Sequence, residues 1–274
     1  MVREILSFID DAETAAPFVT TLLEVAKRLQ TRCEIGVLTA APMLMPALAP
    51  LATLYMPEPV LRADNALQVE RTRALVAGAG DPVDVWGLHD SVGWLSADVR
   101  DAWRLADLIL IGSQETWLTP WLRRRLIETL LLSSGTPIVL LPTERTLPPV
   151  RHAVLGWKPS AEASRVLHDL VALAEPGARI DVVAVGPDPQ VMPDDDLPGS
   201  GIERHLTRHG FAVGMHRIDD GNPAADQLQK FAVEHSADLL AMGGFAHSRV
   251  REIMLGGVTR TVIENPATPA LMAH

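Results

Sequence analysis

The residues best suited to chemistry in this 274-residue chain lie in one stretch. It reads Gly243-Gly244-Phe245-Ala246-His247-Ser248-Arg249 and runs on to Gly256-Gly257-Val258-Thr259. Glycines let backbone N–H groups approach an anion, and a helix starting beyond the turn adds the positive end of its dipole. His247, Ser248 and Arg249 offer further donors. The chemistry is phosphate binding, although paired glycines also serve tight turns without a ligand. There is no nucleophile elbow, no Lys-bearing phosphate loop and no pair of catalytic carboxylates, so no catalytic residue is assigned.

Other candidates are weaker. His205 and His209 stand four apart on a helical stretch and could share zinc with His216 or His235. No third ligand falls at a motif spacing, so they read as surface histidines and no metal is assigned. Asp194-Asp195-Asp196 reads as a solvated loop. Cys33 is the single cysteine, which excludes an internal disulfide. The net charge of -10 repels nucleic-acid backbones and anionic lipid, while local N–H groups can still bind a small anion. The uncharged run from Ile35 to Pro57 is interrupted by Pro42, Pro46 and Pro50, which argues against a membrane span. Met1 to Asp10 reads as a first strand and not as a signal peptide, so a cytoplasmic location is expected.

The elements that position these residues follow from an internal repeat. Ala106-Asp107-Leu108-Ile109-Leu110-Ile111-Gly112 matches Ala237-Asp238-Leu239-Leu240-Ala241-Met242-Gly243, and Thr136-Pro137 matches Thr268-Pro269. Val83-Asp84-Val85-Trp86 stands where Val213-Gly214-Met215-His216 stands in the second half. Strands are expected near 3–9, 34–39, 82–87, 107–111 and 137–141, then near 151–156, 180–185, 212–217, 238–242 and 269–273. Helical patterns fill 13–30, 63–78, 92–104 and 118–133, then 160–174, 200–209, 223–236 and 249–264. Alternating strands and helices mean an α/β fold: two tandem Rossmann-like domains, over 1–142 and 150–274. Each would be a five-stranded parallel sheet of order 3-2-1-4-5 with helices on both faces. Pro142 to Pro149 reads as the linker. Ala41 to Arg62, rich in Pro, Met and Leu, is either a loop with a short helix folded on its own core or an apolar patch supporting a homodimer.

The segment from Ala237 to His274 resembles the C-terminal signature of universal stress proteins: Gly, two residues, Gly, nine residues, then Gly with Ser or Thr. The resemblance implies a nucleotide-sized cleft, a role in stress responses, and adenine nucleotide (ATP, ADP or AMP) held without a required metal. Its site residues here would be Gly243, Gly244, Ala246, His247, Ser248, Arg249, Gly256, Gly257, Val258, Thr259 and, after the first strand of that half, Trp157. Ala246 replaces the middle glycine of the signature, Gly257 replaces its Ser or Thr, and Trp157-Lys158 replaces an acidic residue. It also implies pairing through last strands, 137–141 against 269–273 within one chain.

The first half departs further. Asp10 and Asp11 follow its first strand, and either contact a ligand or cap the helix that follows. Glu115 stands where a small residue would face phosphate, and Arg123-Arg124-Arg125 reads as a solvated helix face. Three functions remain in view: a non-enzymatic nucleotide-binding stress protein, a slow nucleotide hydrolase, and an interaction module with vestigial clefts.

Overall fold

The computed structural model describes residues 2–40, 58–80, 83–90, 105–186, 201–244 and 257–274, with backbone alone for Asp90 and 257–260. The chain divides into two compact units, Arg3–Thr129 and Leu130–His274.

The first unit contains β1 (Glu4–Ile9), α1 (Ala16–Leu29), β2 (Arg32–Ala40), α2 (Glu58–Val76), β3 (Val83–Asp90) and β4 (Leu108–Ile111). A 3-10 turn, Gln114–Thr116, leads to α3 (Pro120–Ser133). Strands β3, β2, β1 and β4 pair in that order, all parallel. The strands are apolar on both faces because helices cover both, as in any sheet built by crossover connections. In α1, Phe18, Val19, Leu22, Val25 and Ala26 form the buried stripe expected of a 3.6-residue period. That helix ends at Gln30, which takes the left-handed conformation (φ 54°).

The second unit contains β5 (Ile138–Leu140), β6 (His152–Gly156), α4 (Ala161–Leu173), β7 (Arg179–Val185), α5 (Gly201–Arg208) and β8 (Ala212–Ile218). Then come α6 (Ala224–Glu234), β9 (Leu239–Gly243), α7 (Gly257–Glu264) and β10 (Ala270–Ala273). Strands β8, β7, β6, β9 and β10 are parallel and follow the expected order 3-2-1-4-5. Beyond β10 lies β5, antiparallel, with Ile138, Val139 and Leu140 opposite Met272, Leu271 and Ala270. This is the last-strand pairing that the resemblance implies. On one face Leu228, Phe231 and Ala232 of α6 pack against Val154, Val183 and Leu240.

All ten expected strands are present. The expected helix over 92–104 and the first part, 249–256, of that over 249–264 lie outside the described residues, as does most of the 41–62 insert. Its last residues, 58–62, are helical and belong to α2, expected over 63–78. Among the described residues, no helix is long and apolar enough to cross a membrane.

Candidate functional site

In an open parallel sheet the crevice for a ligand opens at the carboxyl ends of the strands, where strand order reverses. In the second unit that point lies between β6 and β9. Gly156 is in register with Met242, so Trp157 and Gly243 flank the crevice as the chain leaves each strand. The Trp157 backbone N–H donates to the Val183 carbonyl at 2.9 Å, which fixes where the half-buried indole begins; Lys158 is exposed. Helix α4 starts two residues on. Its cap is Ser160, whose Oγ accepts the Ala163 N–H at 3.1 Å.

The two glycines of the crevice do different work. A Cβ on Gly243 would stand 3.0 Å from both the Ala163 backbone N and Glu162 Cβ, and 3.1 Å from the Glu162 carbonyl carbon. Glycine at 243 therefore lets β9 meet the first turn of α4. A Cβ on Gly244 would have only ordinary contacts, 3.5 Å from the Ala273 carbonyl oxygen and from Leu131. The Gly244 N–H donates to that same Ala273 carbonyl at 2.8 Å. Gly257, Val258 and Thr259 lie on α7. Ala246, His247, Ser248, Arg249 and Gly256 lie outside the described residues.

The corresponding end of the first unit is filled by its own side chains. A Cβ on Gly112 would collide with Thr116 Oγ1 and come within 2.7 Å of the Phe18 ring. Buried Asp10 accepts the backbone N–H groups of Leu118 and Thr119 at 3.0 and 2.7 Å. It thus ties down the segment that leads into α3 and does not cap the helix next in sequence. Burial pushes its carboxyl up, against the lowering pull of those hydrogen bonds. Asp11 does serve the turn into α1: its Oδ1 accepts the Thr14 N–H at 2.8 Å, and Gln68 Nε2 donates to its Oδ2 at 3.0 Å. Glu115 is exposed on the 3-10 turn.

The arginine run is not one solvated face. Arg123 is 1% exposed and its Nε donates to the Gly112 carbonyl at 2.8 Å. Burial pulls its guanidinium down to about 10, which leaves it charged at neutral pH. Arg124 and Arg125 are on the outer side, both paired with Glu128 at 2.9 and 3.7 Å. Helical spacing separates them: successive residues turn by about 100°, so one of three adjacent arginines faces inward.

The histidines separate as well. His205 meets His168 of α4 and His209 of its own segment, not His216 or His235; ring centroids are 5.6 Å apart for His168–His205 and 4.7 Å for His205–His209. His216 belongs to a cluster that sequence reasoning missed. Fully buried Asp181 on β7 accepts from His152 Nε2 on β6 at 2.7 Å and from His216 Nε2 on β8 at 3.0 Å. Arg179 adds a fork, Nε at 3.1 Å from both oxygens and Nη2 at 3.0 Å. Gly214, in register with Asp181, leaves the room: a Cβ there would collide with the carboxylate. Burial alone would raise the Asp181 carboxyl, but Arg179, His152 and His216 hold it down at about 2. The available signal was a charged residue inside the apolar run Arg179-Ile180-Asp181-Val182-Val183. Among the described residues, no three imidazole, thiol or carboxylate groups converge as a metal site.

A tandem α/β molecule, with a crevice at the β6/β9 switch point of its second half, is thereby defined. Residues 149–274 match the model of the universal stress protein family, and that half of the chain is a universal stress protein domain. A solved universal stress protein from Archaeoglobus fulgidus DSM 4304 is 16% identical, with 98% of this chain and 97% of that one covered at a TM-score of 0.65. A protein from Pseudomonas aeruginosa UCBPP-PA14, described under the same family name, is 14% identical, with 99% and 93% covered at 0.54. At such identities the likeness is one of fold, and it extends over both halves. Among curated proteins none matches the sequence.

Proposed function

We propose that the chain is a non-enzymatic stress-response protein of the cytoplasm whose second domain, over 150–274, binds an adenine nucleotide, and whose first domain, over 1–142, is a degenerate copy. The observation that carries this reading is the contrast between the two switch points. Phe18, Thr116, Arg123 and Asp10 occupy the first, whereas the described residues that border the second include Trp157, Lys158 and Gly244. The indole of Trp157 offers a face on which a base can stack, and Lys158 a counter-charge for phosphate. Gly257, Val258 and Thr259 of α7 are proposed to contribute to the same site. Ala246, His247, Ser248, Arg249 and Gly256 complete the set. Further self-association would use the 41–62 insert to form a homodimer.

Ala246 and Gly257 each remove something the family signature supplies, so the affinity is weak, roughly tens of micromolar, or about -6 kcal/mol. Titration calorimetry of the full chain with ATP should give one site of that strength, weakened at least about tenfold by Trp157→Ala. Gly243 fits a second reading, because its packing on Glu162 and Ala163 accounts for the glycine with no ligand. Absence of heat with ATP, ADP and AMP would favour that reading, an interaction module with vestigial clefts.

A further inference from the structure

The second half holds two groups of histidines whose surroundings are opposite in charge. His152 and His216 both face the Asp181 carboxylate. Their shared acceptor stays ionised down to about pH 2, so acid does not loosen that clamp until Asp181 itself is neutralised. His205 on α5 is placed otherwise. Its neighbours are His168 of α4 and His209, one turn on. Its Nε2 is buried and meets no hydrogen-bond partner among the described residues. Burial lowers the affinity of its imidazole for a proton, and His209, His168 and Arg208 lower it further.

The charges packed round it give no relief. On α4, the Asp169 carboxyl stands by Arg165 and His168 and does not act on His205. Helix α5 itself adds Glu203 and Arg204. Strand β8, on which α5 rests, adds His216, committed to Asp181, and Arg217. A proton on His205 therefore creates a cation among cations, with a buried N–H lacking an acceptor.

Helix α5 is poorly secured against such a change. Over Gly201–Arg208 it has two buried apolar anchors, Ile202 and Leu206. With so little apolar burial its docking belongs to the low-stability end of the fold. We propose that α5 is an acid-released element: protonation of His205, set between His168 and His209, detaches Gly201–Arg208 from α4 and β8, while the sheet clamped by Asp181 stays folded. The docked helix needs His205 neutral. Since folding lowers the proton affinity of that ring, the stabilisation is complete above about pH 6.5, the unfolded value, and is lost as pH falls through the folded one.

Hydrogen exchange on the full chain between pH 7.5 and 5.0, corrected for intrinsic rates, reads both parts at once. The opening constant of 201–209 should rise as pH falls, with a slope approaching about tenfold per pH unit for each proton taken up. Residues 179–185 should keep their protection throughout. His205→Gln should flatten the slope. If that variant leaves α5 undocked even at pH 7.5, the exposed pair His168→Gln and His209→Gln should reduce the slope instead. Unchanged protection of α5 down to pH 5.0, joint loss in α5 and β7, or a full slope in a docked His205→Gln variant would overturn the proposal.

Discussion

Asp238 Oδ2 accepts the backbone N–H of His152 at 2.9 Å, and that of Arg151 at the same distance. Asp107 makes the same connection in the first half, to Arg3 at 2.7 Å and Glu4 at 3.1 Å. One carboxylate at the foot of strand four thus ties down the first residues of strand one in each copy. The recurring Ala-Asp pair is a structural device and not a trace of the ligand site. Asp107→Ala and Asp238→Ala should each cost about 1–2 kcal/mol in urea unfolding, because two backbone donors lose a charged acceptor. Asn at either position should recover part of that loss, and ATP affinity should not change. A larger effect on binding than on unfolding would contradict the assignment.

Asp181 predicts an acid limit. Its folded carboxyl is held at about 2, below the unfolded value near 3.9, so the clamp contributes full stability above about pH 4 and loses it as pH falls toward 2. Asp181→Asn should remove that dependence. It should also destabilise the protein at pH 7 by about 1–3 kcal/mol, because His152, His216 and Arg179 lose a buried charged acceptor. Equilibrium unfolding at pH 7, 4 and 2.5 checks both signs.

Arg123 and Arg125 test whether adjacent arginines do different work. Arg123→Ala should cost about 3 kcal/mol or more, since it removes a buried side chain bonded to the Gly112 carbonyl. Arg125, 59% exposed beside Glu128, should change stability by less than about 0.5 kcal/mol when replaced by Ala. Equal effects in thermal unfolding would return the run to a single solvated face.

Gly243 and Gly244 separate packing from binding. Gly243→Ala places a methyl 3.0 Å from α4 backbone and should lower stability by about 1–3 kcal/mol. Gly244→Ala meets only ordinary contacts and should leave stability within about 0.5 kcal/mol. If phosphate approaches this backbone, Gly244→Ala weakens ATP binding while the fold is untouched. Parallel unfolding and calorimetry on the two variants distinguish the effects.

The sheet order was legible because buried parallel strands are short apolar runs, and because a duplicated chain states each landmark twice. The candidate site was legible only in outline. The glycines of β9 could be found from sequence, but whether Gly243 serves a ligand or α4 depends on Glu162 and Ala163, some eighty residues away. Asp10 likewise looked like a local cap, yet its partners Leu118 and Thr119 come from across the fold. The Asp181 clamp joins three neighbouring strands, and strand register is not written in any one of them.

The central claim is that an adenine nucleotide binds at the β6/β9 crevice and not at the first half's filled counterpart. Photolabelling the full chain with 8-azido-ATP, followed by peptide mapping, tests it most directly. The label should fall on the peptide carrying Trp157 and Lys158 or on that following Gly243, and unlabelled ATP should compete it away at roughly tens of micromolar. Competable label confined to residues 105–119, beside Asp10 and Gly112, would contradict the account.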